Sequence, residues 1–106
     1  MHLVFTTVGK KKDAQAIAKA LVSLGLAACV SSWPLRSTYR WKGKMRDENE
    51  YALEIKTANA ATVRRWLQKN HPYELPVIYA LKASGISGDA EKWNQQIQGH
   101  HISRFH

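Results

Sequence analysis

With 106 residues and a mass of 12.0 kDa, the chain has room for one domain and no second core, since domains commonly run to roughly 100–150 residues. A hydrophobic fraction of 44 % and a charged fraction of 23 % exclude a disordered or membrane-embedded chain, and no apolar run approaches the roughly 20 residues that span a bilayer. Sixteen Lys and Arg against eight Asp and Glu leave +8, a field that attracts nucleic acid, anionic membrane or phosphorylated ligands without choosing among them.

In chain order, Leu3 to Val8 is a short apolar and β-branched run ended by Gly9, which predicts a central buried strand. From Asp13 the spacing becomes helical, with Ile17, Ala20, Leu21 and Leu24 on one face, and Gly25 is placed to stop the helix in a left-handed conformation. Leu26 to Val30 resumes as a strand. A bend is expected at Ser31-Ser32-Trp33-Pro34, because proline donates nothing to a ladder. Ser37 to Trp41 extends again, Lys42-Gly43-Lys44 turns, and Glu50 to Thr57 alternates, with Tyr51, Leu53 and Ile55 on one face; together these predict a long hairpin. Asn59 or Thr57 caps a second helix that shares Val63, Trp66 and Leu67 on one face and ends at Asn70-His71-Pro72. Leu75 to Leu81 is the fourth strand, Ser84 to Gly88 a loop, and Asp89 to Gln98 a closing helix with Trp93 and Ile97 facing inward. The order βαββαβ followed by α predicts an α+β, ferredoxin-like sandwich with both main helices on one face of the sheet and an extra C-terminal helix. Its domain covers residues 1–98, and residues 99–106 form a flexible tail that carries histidines.

The single cysteine, Cys29, excludes an intramolecular disulfide, and no basic leader precedes the first strand, so a cytoplasmic location is expected. Four stretches stand at a characteristic order and spacing: Leu26-Ala27-Ala28-Cys29-Val30, Tyr39-Arg40-Trp41-Lys42-Gly43-Lys44, Glu54-Ile55-Lys56-Thr57 and His71-Pro72-Tyr73-Glu74-Leu75-Pro76. With the opening Val-Phe-Thr-Thr strand and Trp93, the chain resembles the CutA family of divalent-cation-tolerance proteins to about residue 98. The resemblance implies a homotrimer similar to the PII signalling proteins, a hairpin that pairs across subunits, clefts where the motif segments meet, a link to copper(II) and other divalent metals, and no established reaction.

The candidate ligand-binding residues of that cleft are Tyr39, Trp41, Lys44, Lys56 and Tyr73. Tyr39 and Trp41, two apart in a strand, face the same way, and two amphipathic rings beside a fixed cation make a wall for an anionic or aromatic ligand, or else a subunit contact. The candidate metal ligands are Cys29, His71 and Glu74. Proline fixes the turn between the last two so that an imidazole and a carboxylate could share one small volume. Their plain readings are core packing for the thiol, a helix-end histidine, and a surface ion pair. His100, His101 and His106 add imidazoles that suit copper and zinc. No nucleophile with its base and no cofactor motif stands out, and Asp47, Glu48 and Glu50 read as a solvated hairpin end, so a binding protein is expected and an enzyme is not. The alternatives are nucleic-acid or other polyanion binding through the basic surface, and a structural trimer that scaffolds a partner protein.

Overall fold

The computed structural model describes residues 1–100, and side chains as far as Gln95. Strand β1 (His2–Val8) leads into helix α1 (Lys11–Ser23); the hairpin β2 (Cys29–Trp41) and β3 (Lys44–Thr57) follows, then α2 (Ala60–Asn70), β4 (Ile78–Lys82) and α3 (Gly88–His100). The strands form one antiparallel sheet in the order β2-β3-β1-β4, so β1 is internal, as its apolar run predicts. This is the ferredoxin-like arrangement in an α+β chain.

Period-2 alternation decides which face is covered. Val4, Val8, Leu53 and Ile55 turn to one side and pack with Ala14, Ile17 and Leu21 of α1 and Val63 and Leu67 of α2, all of them buried. Removing aliphatic side chains of this size from water stabilises the fold by roughly 1.5–3 kcal/mol each. The opposite face carries Leu3, Phe5 and Thr7 of β1, and its apolar neighbours Trp33, Val77, Tyr79 and Leu81 stay exposed. Phe5 and Tyr79 stack there with ring centroids 5.3 Å apart.

The helix ends follow local chemistry. Asn59 caps α2 by accepting the Thr62 N–H at 3.1 Å, and Gly25 (φ 71°) closes α1 in the left-handed region while the Leu26 N–H returns to the Leu21 carbonyl. Leu24, expected on the buried face, stands just past the end of α1 and is 50 % exposed.

Four other expectations are corrected. The Leu26–Ala28 segment is not strand, and β2 runs without a break from Cys29 through Pro34, which pairs with Tyr51. Because β2 is an edge strand, a residue without an N–H can stand in it with little loss of ladder bonding. The fourth strand begins at Ile78, leaving Leu75 and Val77 exposed in the preceding segment. Helix α3 extends past the limit expected at 98; it is tied to the start of β1 by the N-terminal ammonium on the Glu91 carboxylate at 3.1 Å. The tail beyond His100 and the side chain of Ile97 lie outside the described residues. No helix among the described residues is long and apolar enough to cross a membrane.

Candidate functional site

The tip of the hairpin sets the register of everything below it. Lys42 (φ 50°) and Gly43 (φ 77°) are both left-handed, the requirement of a two-residue type I′ turn whose twist matches the flanking strands. Trp41 therefore pairs with Lys44, and counting back in twos pairs Tyr39 with Arg46, Ser37 with Glu48 and Leu35 with Glu50, all on one face. From Glu50 to the tip, β2 and β3 are the only strands among the described residues, because β1 pairs with β3 no further than Tyr51.

The second wall is the segment between α2 and β4. His71 ends α2 in an extended conformation (ψ 138°), as a residue before proline must, and the chain then runs along the end of β1. Between this segment and the hairpin lies a groove of about 770 Å³, with Tyr39, Trp41, Arg46, Glu48 and Glu50 on one side and Tyr73, Glu74 and Val77 on the other.

Glu50 is only 8 % exposed, and the Tyr73 hydroxyl donates to its carboxylate at 2.7 Å. Burial pushes the Glu50 carboxyl up, but hydroxyl donation from Ser37, Tyr73 and Thr7 outweighs this and holds it below its ordinary range. The Tyr73 phenol is pushed far up by burial and by that same carboxylate, so it stays protonated and keeps donating. Gly9 lets the ring come close: a Cβ there would lie 3.2 Å from the Tyr73 hydroxyl oxygen. Tyr39, at the groove mouth, is raised mainly by its hydrogen bond to Glu48.

His71 has a different role from the one expected. Its Nδ1 accepts the Tyr73 backbone N–H at 3.0 Å, while Nε2 lies 2.9 Å from Thr6 Oγ1 and 3.0 Å from the Thr7 carbonyl. The Thr7 carbonyl can only accept, and Thr6 Oγ1 gives its own proton to the Val77 carbonyl at 2.8 Å, so the partners assign a neutral ring protonated at Nε2. Burial lowers its pKa, in agreement. Both nitrogens are thus engaged, Nδ1 in holding the turn at Tyr73 and Nε2 in fastening the 71–77 segment to β1.

The structure brings together Tyr39, Trp41, Tyr73 and Glu74. It does not bring the expected cations. Lys44 stands exposed beside the hairpin turn, and Lys56 pairs with Glu54 at 3.7 Å near the other end of the sheet. Cys29 pairs with Lys56 in the ladder, and Lys56 with Leu3, four residue steps from Thr7 or roughly 13 Å along the strands. Cys29 is therefore remote from His71 and Glu74. Among the described residues no three His, Cys, Asp or Glu side chains are gathered as a metal would need. The side chains of His100, His101 and His106 lie outside the described residues. The groove residues that sequence reasoning missed are Arg46, Glu48 and Glu50; the reading of Glu50 as solvated is overturned by its burial against Tyr73.

The family pattern described as CutA1 divalent ion tolerance protein matches residues 2–97. This chain belongs to that family. The divalent-cation tolerance protein CutA of Thermus thermophilus is 36 % identical over 101 residues, covering 92 % of this chain and 98 % of its own. Among solved structures, the periplasmic divalent cation tolerance protein CutA of Archaeoglobus fulgidus superposes with a TM-score of 0.88 at 31 % identity, covering 92 % of this chain and 99 % of that one. CutA of Synechococcus elongatus, complexed with a Bis-Tris molecule, gives 0.83 at 37 % identity with 90 % of each chain covered. The CutA relatives are named for divalent cations, but the donors found here do not form a ready copper site: the thiol is remote, the imidazole is fully engaged, and neither lines the groove.

Proposed function

We propose that this chain is a homotrimeric binding protein of the CutA type, not an enzyme, and that its groove is a ligand site completed by a neighbouring subunit. The observation that carries the reading is the outer half of the hairpin. From Leu35 to Glu50 it is a two-stranded ribbon with no third strand among the described residues, yet it holds two exposed aromatic rings and the Glu50–Tyr73 pair. An isolated ribbon is marginal in water, so its persistence calls for a covering surface. A second copy offers one in the exposed Trp33, Val77, Tyr79 and Leu81, on the same sheet face as Tyr39 and Trp41.

A divalent metal enters this reading through the names of the relatives, and copper(II) only through the family resemblance; the donors in the groove are carboxylate and phenol oxygens, which suit harder cations better than copper. A cytoplasmic location belongs to the same proposal and rests on the lone thiol, whereas the A. fulgidus relative is described as periplasmic. Sedimentation equilibrium near neutral pH and at micromolar concentration tests the assembly. About three chain masses are expected, and a monomer or dimer overturns the reading.

A further inference from the structure

We infer that the groove takes a small organic cation, an alkylated ammonium ion, and not the anionic or aromatic ligand that the neighbouring lysines suggested. This rests on the groove being a ligand site and names the class of its ligand. The chain as a whole carries +8, yet three of its eight acidic residues, Glu48, Glu50 and Glu74, line this one groove against a single guanidinium, Arg46. The local sign is opposite to the global one. Glu50 stays anionic because three hydroxyls donate to it, and a partly enclosed charge is screened less by salt than one on open surface. An anion would enter against this field, with Arg46 the one cation of this chain's own lining to receive it.

The remaining lining discriminates among cations. Tyr39, Trp41 and Tyr73 present rings, whose negative faces attract a cation without demanding directed donors. Trp41 already accepts an ammonium from its own chain, since Lys42 Nζ lies 5.9 Å from the ring centroid. A bare divalent ion has to exchange its water shell for several oxygens at fixed distances, and no such set is gathered among the described residues. An alkylammonium ion is weakly hydrated, gains dispersion contacts from the rings and needs only the diffuse field of the carboxylates. At about 770 Å³ the groove lies within the size range of small-molecule sites.

Calorimetric titration of the full chain tests this with four probes: choline, its uncharged isostere in which tert-butyl replaces trimethylammonium, citrate, and zinc chloride. Choline is expected to bind at least about tenfold more tightly than the isostere, the discrimination that ~1.4 kcal/mol provides. The double variant Glu48→Gln, Glu74→Gln is expected to lose about that factor for choline while its sedimentation and melting stay those of the wild type. Tighter binding of citrate, tighter binding of zinc that choline competes away, or equal binding of the isostere overturns the ligand class and leaves the groove standing as a site. Silence from all four probes overturns the groove as a ligand site along with it.

Discussion

The inner and outer halves of the β2–β3 hairpin share one continuous ladder but are held by different forces. In the inner half, Tyr51 to Lys56 are flanked by both β1 and β2, and Leu53, Ile55 and Thr57 are fully buried under the helices. In the outer half, every β3 residue from Lys44 to Asn49 is exposed, and the strands are kept in register by the Lys42-Gly43 turn and by side-chain pairs such as Arg36–Asn49 at 3.3 Å. Burial makes the inner strands, whereas the outer ones are an arm whose geometry is set from its tip. The groove lies where the arm leaves the body, so a stable core positions it and a less supported element shapes it.

Substitutions on either side of that boundary should separate accordingly. The largest expected effect is in the body: Leu53→Ala should cost about 2–5 kcal/mol in chemical denaturation, because a fully buried leucine is truncated under two helices. At the boundary, Tyr73→Phe should cost about 1–3 kcal/mol by leaving a buried carboxylate short of a donor. The same change at exposed Tyr39 should leave the denaturation midpoint where it is. At the tip, Gly43→Ala should cost about 1–2 kcal/mol, all of it backbone strain at positive φ, since nothing lies within 4 Å of the added Cβ. Met45→Ala, 73 % exposed on the arm, should stay within about 0.5 kcal/mol, and a loss comparable to that of Leu53→Ala would erase the distinction between the two halves.

Acid should loosen the boundary. The folded-state pKa of His71 lies below its ordinary value of 6.5, so below that pH the unfolded chain binds the extra proton and stability falls. Glu50 is also lowered, from 4.5; the stability it contributes is present above that value and is lost as pH falls through its folded-state pKa. Melting temperature should therefore drop in two stages between neutral pH and strong acid. His71→Asn should flatten the upper stage, and an unchanged upper stage in that variant would remove His71 from the account.

Much of the fold was legible. Gly25 and Asn59 marked their helix ends by conformational and capping chemistry, and the change from period 2 to helical spacing located β1, α1, β3 and α2. The candidate site was legible only in part. Tyr39, Trp41, Tyr73 and Glu74 lie within the two motif stretches that marked the site, but Glu50 reaches Tyr73 across 23 residues of sequence, and that contact follows from hairpin register. A signal did exist: a two-residue turn at Lys42-Gly43, counted outward in twos, puts Glu48 and Glu50 on the face of Tyr39 and Trp41 and turns Asp47 and Asn49 away. Lys56 stands apart from the groove of its own chain because shared motif membership says nothing about which end of a strand a residue occupies. His71 looked like a ligand because a sequence cannot show that both ring nitrogens are already hydrogen-bonded.

The central claim is that the arm is covered by other copies of the chain, and amide hydrogen exchange tests it most directly. At micromolar concentration, amides of residues 35–41 and 44–50 should be protected to nearly the degree of β1, and Trp41→Ala, which removes a large aromatic ring from the arm, should release the arm while leaving β1 protected. Rapid exchange throughout the arm of the wild-type protein, with β1 protected, would contradict the account.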